Sequence, residues 1–225
     1  MNSSSPTERP DARPTTIDPA TLVRRALLAS AAELDTALST VKPSDRRRQK
    51  ALDRWFAGFA AQVRSHHELL DAVVVPTLTA RGVLADSELD TLADNHSWID
   101  DLLSDLGDAL GVLSFGLGAE SWWLGKASDL AASLRHVLQR QLAQEDALLT
   151  PLVASSLDDE ERAVLHQETI SAVATGPVRF SLAWLYAHIT DEERAAMDSY
   201  TSATGRIVGR TSRGAYERAT FAALG

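Results

Sequence analysis

Apolar residues recur every three or four positions through nearly all of residues 19 to 155. That spacing is the period of an α-helix, whereas a half-buried strand alternates every second residue. Leu22, Ala26, Leu34 and Leu38 form a first apolar stripe, in a helix that Asp18 caps and that runs to about Val41. Leu52, Trp55, Phe56, Phe59, Ala60, Val63, His67 and Leu70 form a second, after a start at Asp45. Leu89, Leu92, His96, Ile99, Leu103, Leu106 and Leu110 form a third, opened by Asp86-Ser87-Glu88. Leu130, Leu134, Leu138, Gln141, Glu145, Leu148, Leu149 and Leu152 form a fourth. Long helices with one apolar face bury those faces against one another, so the expected fold is all-α, an up-down four-helix bundle.

The remaining segments are assigned around that frame. Residues 1–18 hold Ser3-Ser4-Ser5-Pro6, Arg9-Pro10 and Arg13-Pro14 with almost no apolar content, and are expected to form a disordered tail. Arg46-Arg47-Arg48 reads as a solvated face. Pro76 is expected to kink or interrupt the second helix. Gly107, Gly111, Gly116 and Gly118 suggest a long connection before the fourth helix. Residues 156–225 form a C-terminal helical extension: a helix to about Ala174, a break at Thr175-Gly176-Pro177, an apolar helix from Val178 to Ile189, another from Asp191 to about Thr204, and a basic tail ending in a short helix. The extension is expected to pack on the bundle, cover one mouth of its core or support a dimer, so monomer and homodimer both remain open.

Composition removes several chemistries. The chain has no cysteine, which excludes disulfides, thiolate metal sites and cysteine nucleophiles, so any metal must be held by His, Asp or Glu. A net charge of −9 opposes general nucleic-acid binding. No apolar run approaches a membrane span and no signal-peptide pattern opens the sequence, so a cytoplasmic protein is expected. No phosphate loop, dinucleotide fingerprint, nucleophile elbow or zinc-protease motif occurs.

What polar chemistry remains lies inside the apolar stripes. His67 and Asp71 stand four apart on one helix face, a compact imidazole–carboxylate pair suited to a metal. His66 and His67 diverge by about 100° on a helix, so only one of them is expected to face the core. His96 sits at the centre of the third stripe and Glu145 in the fourth, where an ionised carboxylate needs a cation, a donor or a raised pKa. His166 and His188 are read as surface or packing residues.

The spacing from His66 to Pro76 equals that from Gln141 to Pro151, and Leu70-Asp71 holds the same offset as Glu145-Asp146. Duplicated hairpins of this kind place polar side chains at one level of a bundle core. The sequence His66-His67 with Asp71 and Pro76, then His96-Ser97-Trp98-Ile99-Asp100, then Glu145 through Pro151 resembles the hemerythrin-like (HHE cation-binding) family, of the actinobacterial type with a C-terminal extension. The resemblance covers roughly Thr21 to Val153. It implies a four-helix bundle with a non-haem di-iron site that handles O2, nitric oxide or peroxide, or senses oxygen or iron. In that register His66, His96 and Glu145 match ligand positions. Leu70 stands where a glutamate is expected, Gln141 where a histidine is, and the first helix carries Leu27 or Ala31 near its expected histidine. A one-residue shift brings in His67 with Asp71, and Asp100 or His136 lies nearby.

Beside a plain structural or interaction module, two further function classes follow. One is a hemerythrin-like protein holding mono- or di-iron through His66, His67, Asp71, His96 and Glu145, with a redox, gas-handling or oxygen-dependent role. The other is a metal-free descendant whose core pocket binds a small molecule or uses His96 and Glu145 for acid–base chemistry.

Overall fold

In the computed structural model, residues 17–175 and 180–225 are described. Apart from Ile17 and Asp18, the expected N-terminal tail lies outside them, as do Gly176, Pro177 and the start of the expected helix at Val178. The described chain is all helical. Helix α1 spans Pro19–Thr40, α2 Arg46–Leu69, α3 Val75–Ala80, α4 Asp86–Phe115 and α5 Glu120–Ser156. Helices α6 (Asp159–Thr175), α7 (Ser181–Ala187), α8 (Asp191–Met197) and α9 (Ala203–Leu224) follow. No helix among the described residues is long and apolar enough to cross a membrane.

Local chemistry sets most of the ends. Asp18 accepts the backbone N–H of Ala20 at 3.0 Å, with Pro19 at the first helical position. Asp45 accepts the N–H of Arg48 at 3.0 Å. Thr190 and Glu193 cap each other's backbone at the head of α8. Gly116 ends α4 at φ 71°, a left-handed conformation that glycine adopts without strain.

Four expectations need correction. The glycines at 107 and 111 do not open a connection, because α4 runs through both. Leu106, Leu110 and Leu113 on the same helix are at most 1 % exposed, and their burial offsets the roughly 1 kcal/mol each glycine costs. The C-terminal tail is not a short helix but the 22-residue α9, laid against α2 and α7. The helix expected from Asp191 to Thr204 is two, α8 and α9, with Ser202 capping the second. Arg46 and Arg47 are exposed as expected, Arg46 pairing with Glu120 at 2.5 Å, but Arg48 is partly buried and donates to Ala223 O and Leu224 O at 3.0 and 2.7 Å, capping the end of α9. Pro76 is absorbed by a single wide turn at Leu70–Val74, which bridges α2 and α3 where the proline ring would crowd the preceding turn. Pro151 is accommodated inside α5.

Helix α4 packs on α2 and α5, and α1 on α5 and α2. Helix α2 also meets α6 and α9, so the C-terminal helices cover what would otherwise be its outer side. Their residues Ile170, Trp184, Leu185, Met197 and Tyr216 join the apolar cluster of the long helices. The contact is close. A Cβ built on Gly58 of α2 would lie 2.4 Å from the Phe180 ring. Gly58→Ala is therefore expected to destabilise the fold by about 1–3 kcal/mol despite alanine's better helix propensity, measured by urea unfolding.

A second apolar cluster, with Leu70, Val74, Leu78, Leu92 and Leu149, lies apart from the first. Polar residues stand between the two clusters on three helices. On α2 they follow Val63 and precede Leu70, on α4 they separate Leu92 from Ile99, and on α5 they separate Leu142 from Leu149.

Candidate functional site

The polar layer is built from His66 and His67 of α2, His96 of α4, and Gln141 and Glu145 of α5, all buried. Glu145 is at its centre and is 0 % exposed. Its Oε2 lies 2.8 Å from His66 Nε2, and its Oε1 accepts the Gln141 amide N–H at 2.7 Å. His96 Nε2 points at the same Oε1 from 3.7 Å, a contact of charges rather than a hydrogen bond. The other nitrogen of His96, Nδ1, lies 3.1 Å from Asp71 Oδ1 and 3.3 Å from Oδ2. The His67 ring stacks on that of His96 with centroids 4.1 Å apart, and its Nε2 lies 3.4 Å from the Gln141 amide nitrogen.

Both adjacent histidines are thus inside, contrary to the expectation that only one would be. On a free-standing bundle helix, 100° would separate an inner ring from an outer one. Here α2 is flanked by α4 on one side and by α6 and α9 on others, so its buried sector is wide enough for both. Asp71 differs from expectation too. Its described hydrogen bonds go to His96 rather than to His67, and its carboxylate is largely in solvent, outside the layer. His136 is exposed, and Asp100 sits 3.7 Å from Arg64 instead of joining the cluster. Helix α1 adds no ligand: Leu27 and Ala31 are buried apolar residues.

Burial and mutual charge set the protonation of the layer. Burial, with the neighbouring His96 and His66, pushes the His67 imidazole down to about 3, so it stays neutral. Burial also works against a charged His96, but the carboxylates of Glu145 and Asp71 on either side outweigh it and raise its pKa. Burial would raise the Glu145 carboxyl, but the charge and hydrogen bond of His66, with His96 and Gln141, hold it well below the usual carboxylate range. An ionised carboxylate at full burial is otherwise very costly.

Two buried imidazole nitrogens and one amide oxygen remain without a hydrogen-bond partner among the described residues: His67 Nδ1, His96 Nε2 and Gln141 Oε1. Ligand atoms held at ~2.1 Å from one ion sit roughly 3.0–3.5 Å from each other. The separations, 2.8 Å from Glu145 Oε2 to His66 Nε2 and 3.7 Å from Glu145 Oε1 to His96 Nε2, run to different oxygens and fall on either side of that range. A dinuclear centre does not fit the described residues, since among them Glu145 is the only carboxylate inside the layer and two metals need several. Among the described residues no group of three or more His, Cys, Asp or Glu is so placed, as it stands, that it could hold a metal ion. Uptake of an ion would require it to displace the proton between His66 and Glu145.

A second polar feature escaped the sequence. Arg24 of α1 is buried and donates from Nη2 to Asp146 at 2.6 Å and to Thr150 at 3.2 Å, next to Glu145 on α5. Arg24 falls off the α1 apolar stripe, and only the neighbouring position of Asp146 hints at it. His166 is buried, 3.7 Å from Asp18, with its ring packed edge-on to Tyr200. Compared with protein-family models, curated proteins and solved structures, the chain matches none.

Proposed function

We propose that His66, His96 and Glu145 form a mononuclear non-haem metal centre in a hemerythrin-like, up-down four-helix bundle made by α1, α2, α4 and α5. The metal is iron, and the role is redox or O2/NO handling or an oxygen-dependent reaction. The observation that carries this reading is the posture of His96. Asp71 engages its Nδ1, and its buried Nε2 is aimed at Glu145 with no hydrogen-bond partner among the described residues. A carboxylate behind a ligating histidine fixes the tautomer and makes the other ring nitrogen a better ligand. Two imidazoles and one carboxylate are a sufficient set for a single iron with open positions.

Bound iron would supply a redox couple and coordination positions for O2 or NO. The chain's own part is separable from that. Glu145 supplies the negative charge, Asp71 orients His96, and the neutral His67 ring braces His96 by stacking. His96 must lose its proton to ligate, so affinity falls as pH drops below its raised pKa.

A second reading has a specific observation in its favour. The layer is connected without a cation, since His96, its pKa raised, lies between Asp71 and Glu145, and Glu145 receives two hydrogen bonds. The core would then be a metal-free site for a small ligand or for proton transfer. Anaerobic titration of the metal-stripped chain with Fe2+, followed by dialysis and elemental analysis, separates the two. The metal reading expects one iron per chain. It also expects Asp71→Asn to weaken binding by about 10–100-fold with little change in stability, because Asp71 is solvent-facing. Iron at background level returns the metal-free reading.

A further inference from the structure

Exposed apolar side chains are concentrated at one end of the bundle. Phe115 closes α4 and is 81 % exposed, Leu117 in the turn that follows is 74 % exposed, and Trp122 in the first turn of α5 is 61 % exposed. No other stretch of this length among the described residues carries three large apolar side chains in solvent. Gly116 and Gly118, at φ 71° and 93°, reverse the chain around Leu117. Trp122 stands edge-on to Trp123 with centroids 4.6 Å apart, and Trp123 packs on the main apolar cluster, so the display is fixed to the core. Grouped apolar side chains in solvent mark a surface that meets another apolar phase.

The start of α2 lies at the same end, since Arg46 donates to Leu113 O and pairs with Glu120. The first two turns of α2 and α5, the last two of α4, and the turns 41–45 and 116–119 hold the cations Lys42, Arg46, Arg47, Arg48, Lys50 and Lys126. Their only carboxylates are Asp45 and Glu120. Arg46 is matched by Glu120, and Arg48 is held by the carbonyls that end α9. Lys42, Arg47, Lys50 and Lys126 make no ion pair among the described residues and stand against Asp45 alone. The next carboxylates, Asp53, Asp108 and Asp129, are at least seven residues, about 10 Å, in from their helix ends. In a chain of net charge −9 this end reverses the sign.

We infer that this end of the bundle docks on an anionic lipid bilayer. Phe115 and Leu117 enter the boundary between headgroups and acyl chains, Trp122 lies at headgroup level, and the unpaired cations meet the lipid phosphates. Shallow apolar insertion and cationic attraction are each weak alone and act together, and tryptophan favours the headgroup level. The rest of the chain repels such a surface, but at physiological salt that repulsion is screened beyond about 8 Å. A second copy of the chain fits this end less well, because a two-fold contact would set the same cations against their own equivalents. No spanning helix is needed, and the inference is independent of what the core binds.

Co-sedimentation of the full chain with vesicles tests it, using phosphatidylserine and phosphatidylcholine in equal parts, and phosphatidylcholine alone. Binding to the first is expected, falling as salt is raised, with binding to the second about tenfold weaker or worse. Phe115→Ser with Leu117→Ser should weaken binding to the anionic vesicles about tenfold or more. Arg47→Glu with Lys50→Glu should do the same. These pairs stand on different elements, so one remains a test should the other fail to fold. Ile207→Ser, which removes an exposed apolar side chain nearly five turns from the end of α9, should change nothing. The inference is overturned if the chain stays in solution with the anionic vesicles, if phosphatidylcholine alone binds it as well, or if a folded paired variant binds like the parent. It is also overturned if Ile207→Ser weakens binding as much as the pairs do. A lipid-free dimer by analytical ultracentrifugation that Phe115→Ser with Leu117→Ser dissociates would assign the surface to a second copy instead.

Discussion

Glu145→Ala is expected to cost the metal-stripped fold about 3–5 kcal/mol, the range for breaking a buried charge pair by removing one partner. The side chain is fully buried and serves three neighbours at once: His66 at 2.8 Å, Gln141 at 2.7 Å and His96 at 3.7 Å. Alanine leaves the His66 and Gln141 donors unpaired, takes one of two carboxylates from His96, and opens a cavity. Glu145→Gln separates these effects, because it keeps the volume and an acceptor while losing the charge. Its loss should be the smaller. Urea unfolding at neutral pH measures both. An alanine variant as stable as the parent would mean that the carboxylate is not held by this network.

The second large effect is on acid stability, and it isolates His67. Its folded pKa of about 3 is far below the unfolded value of 6.5. Between those values the unfolded chain binds a proton that the folded chain refuses, so stability is complete above pH 6.5 and falls as pH drops. Across pH 6.5 to 4.5 the loss is on the order of 3 kcal/mol. The other shifted groups of the layer act elsewhere. His96, with a raised pKa, contributes stability that is fully present below pH 6.5 and lost as pH rises through its folded value. Glu145 begins to matter only below its unfolded value of 4.5. His166 has a lowered pKa and shares the sign of His67, so the comparison must be between variants rather than on one curve. His67→Phe keeps an aromatic ring against His96 and cannot titrate. Unfolding free energies of the metal-stripped protein from pH 7 to 4.5 should flatten in this variant. Parallel curves for variant and parent would show that His67 is not the buried neutral group.

How far the sequence reaches is clearest on individual residues. The apolar spacing located the long helices, because each buries one stripe and the stripe has the helical period. Asp18 and Asp45 marked helix starts because capping is local chemistry, complete within a few residues. His67, His96 and Glu145 were legible as inward polar residues, and the structure brings them together with His66, which the helical period had left on the outer side. Contacts distant in sequence were not legible. Gly107 and Gly111 read as breakers, and only their buried leucine neighbours keep α4 continuous. The burial of both His66 and His67 depends on α6 and α9 covering α2, which no window around the histidines contains. Asp71 was assigned to His67 by four-residue spacing, while the chain folds to set it against a histidine on the next long helix. Arg24 showed nothing of its burial, because its partners Asp146 and Thr150 come from the far end of the bundle sequence.

Crystals of the chain loaded anaerobically with Fe2+, with diffraction recorded at the iron absorption edge, test the central claim most directly. The account predicts one anomalous peak per chain, within bonding distance of His66 Nε2, His96 Nε2 and a Glu145 carboxylate oxygen, with Asp71 still on His96 Nδ1. Two peaks in the core, or none with the His66–Glu145 hydrogen bond intact, would contradict it.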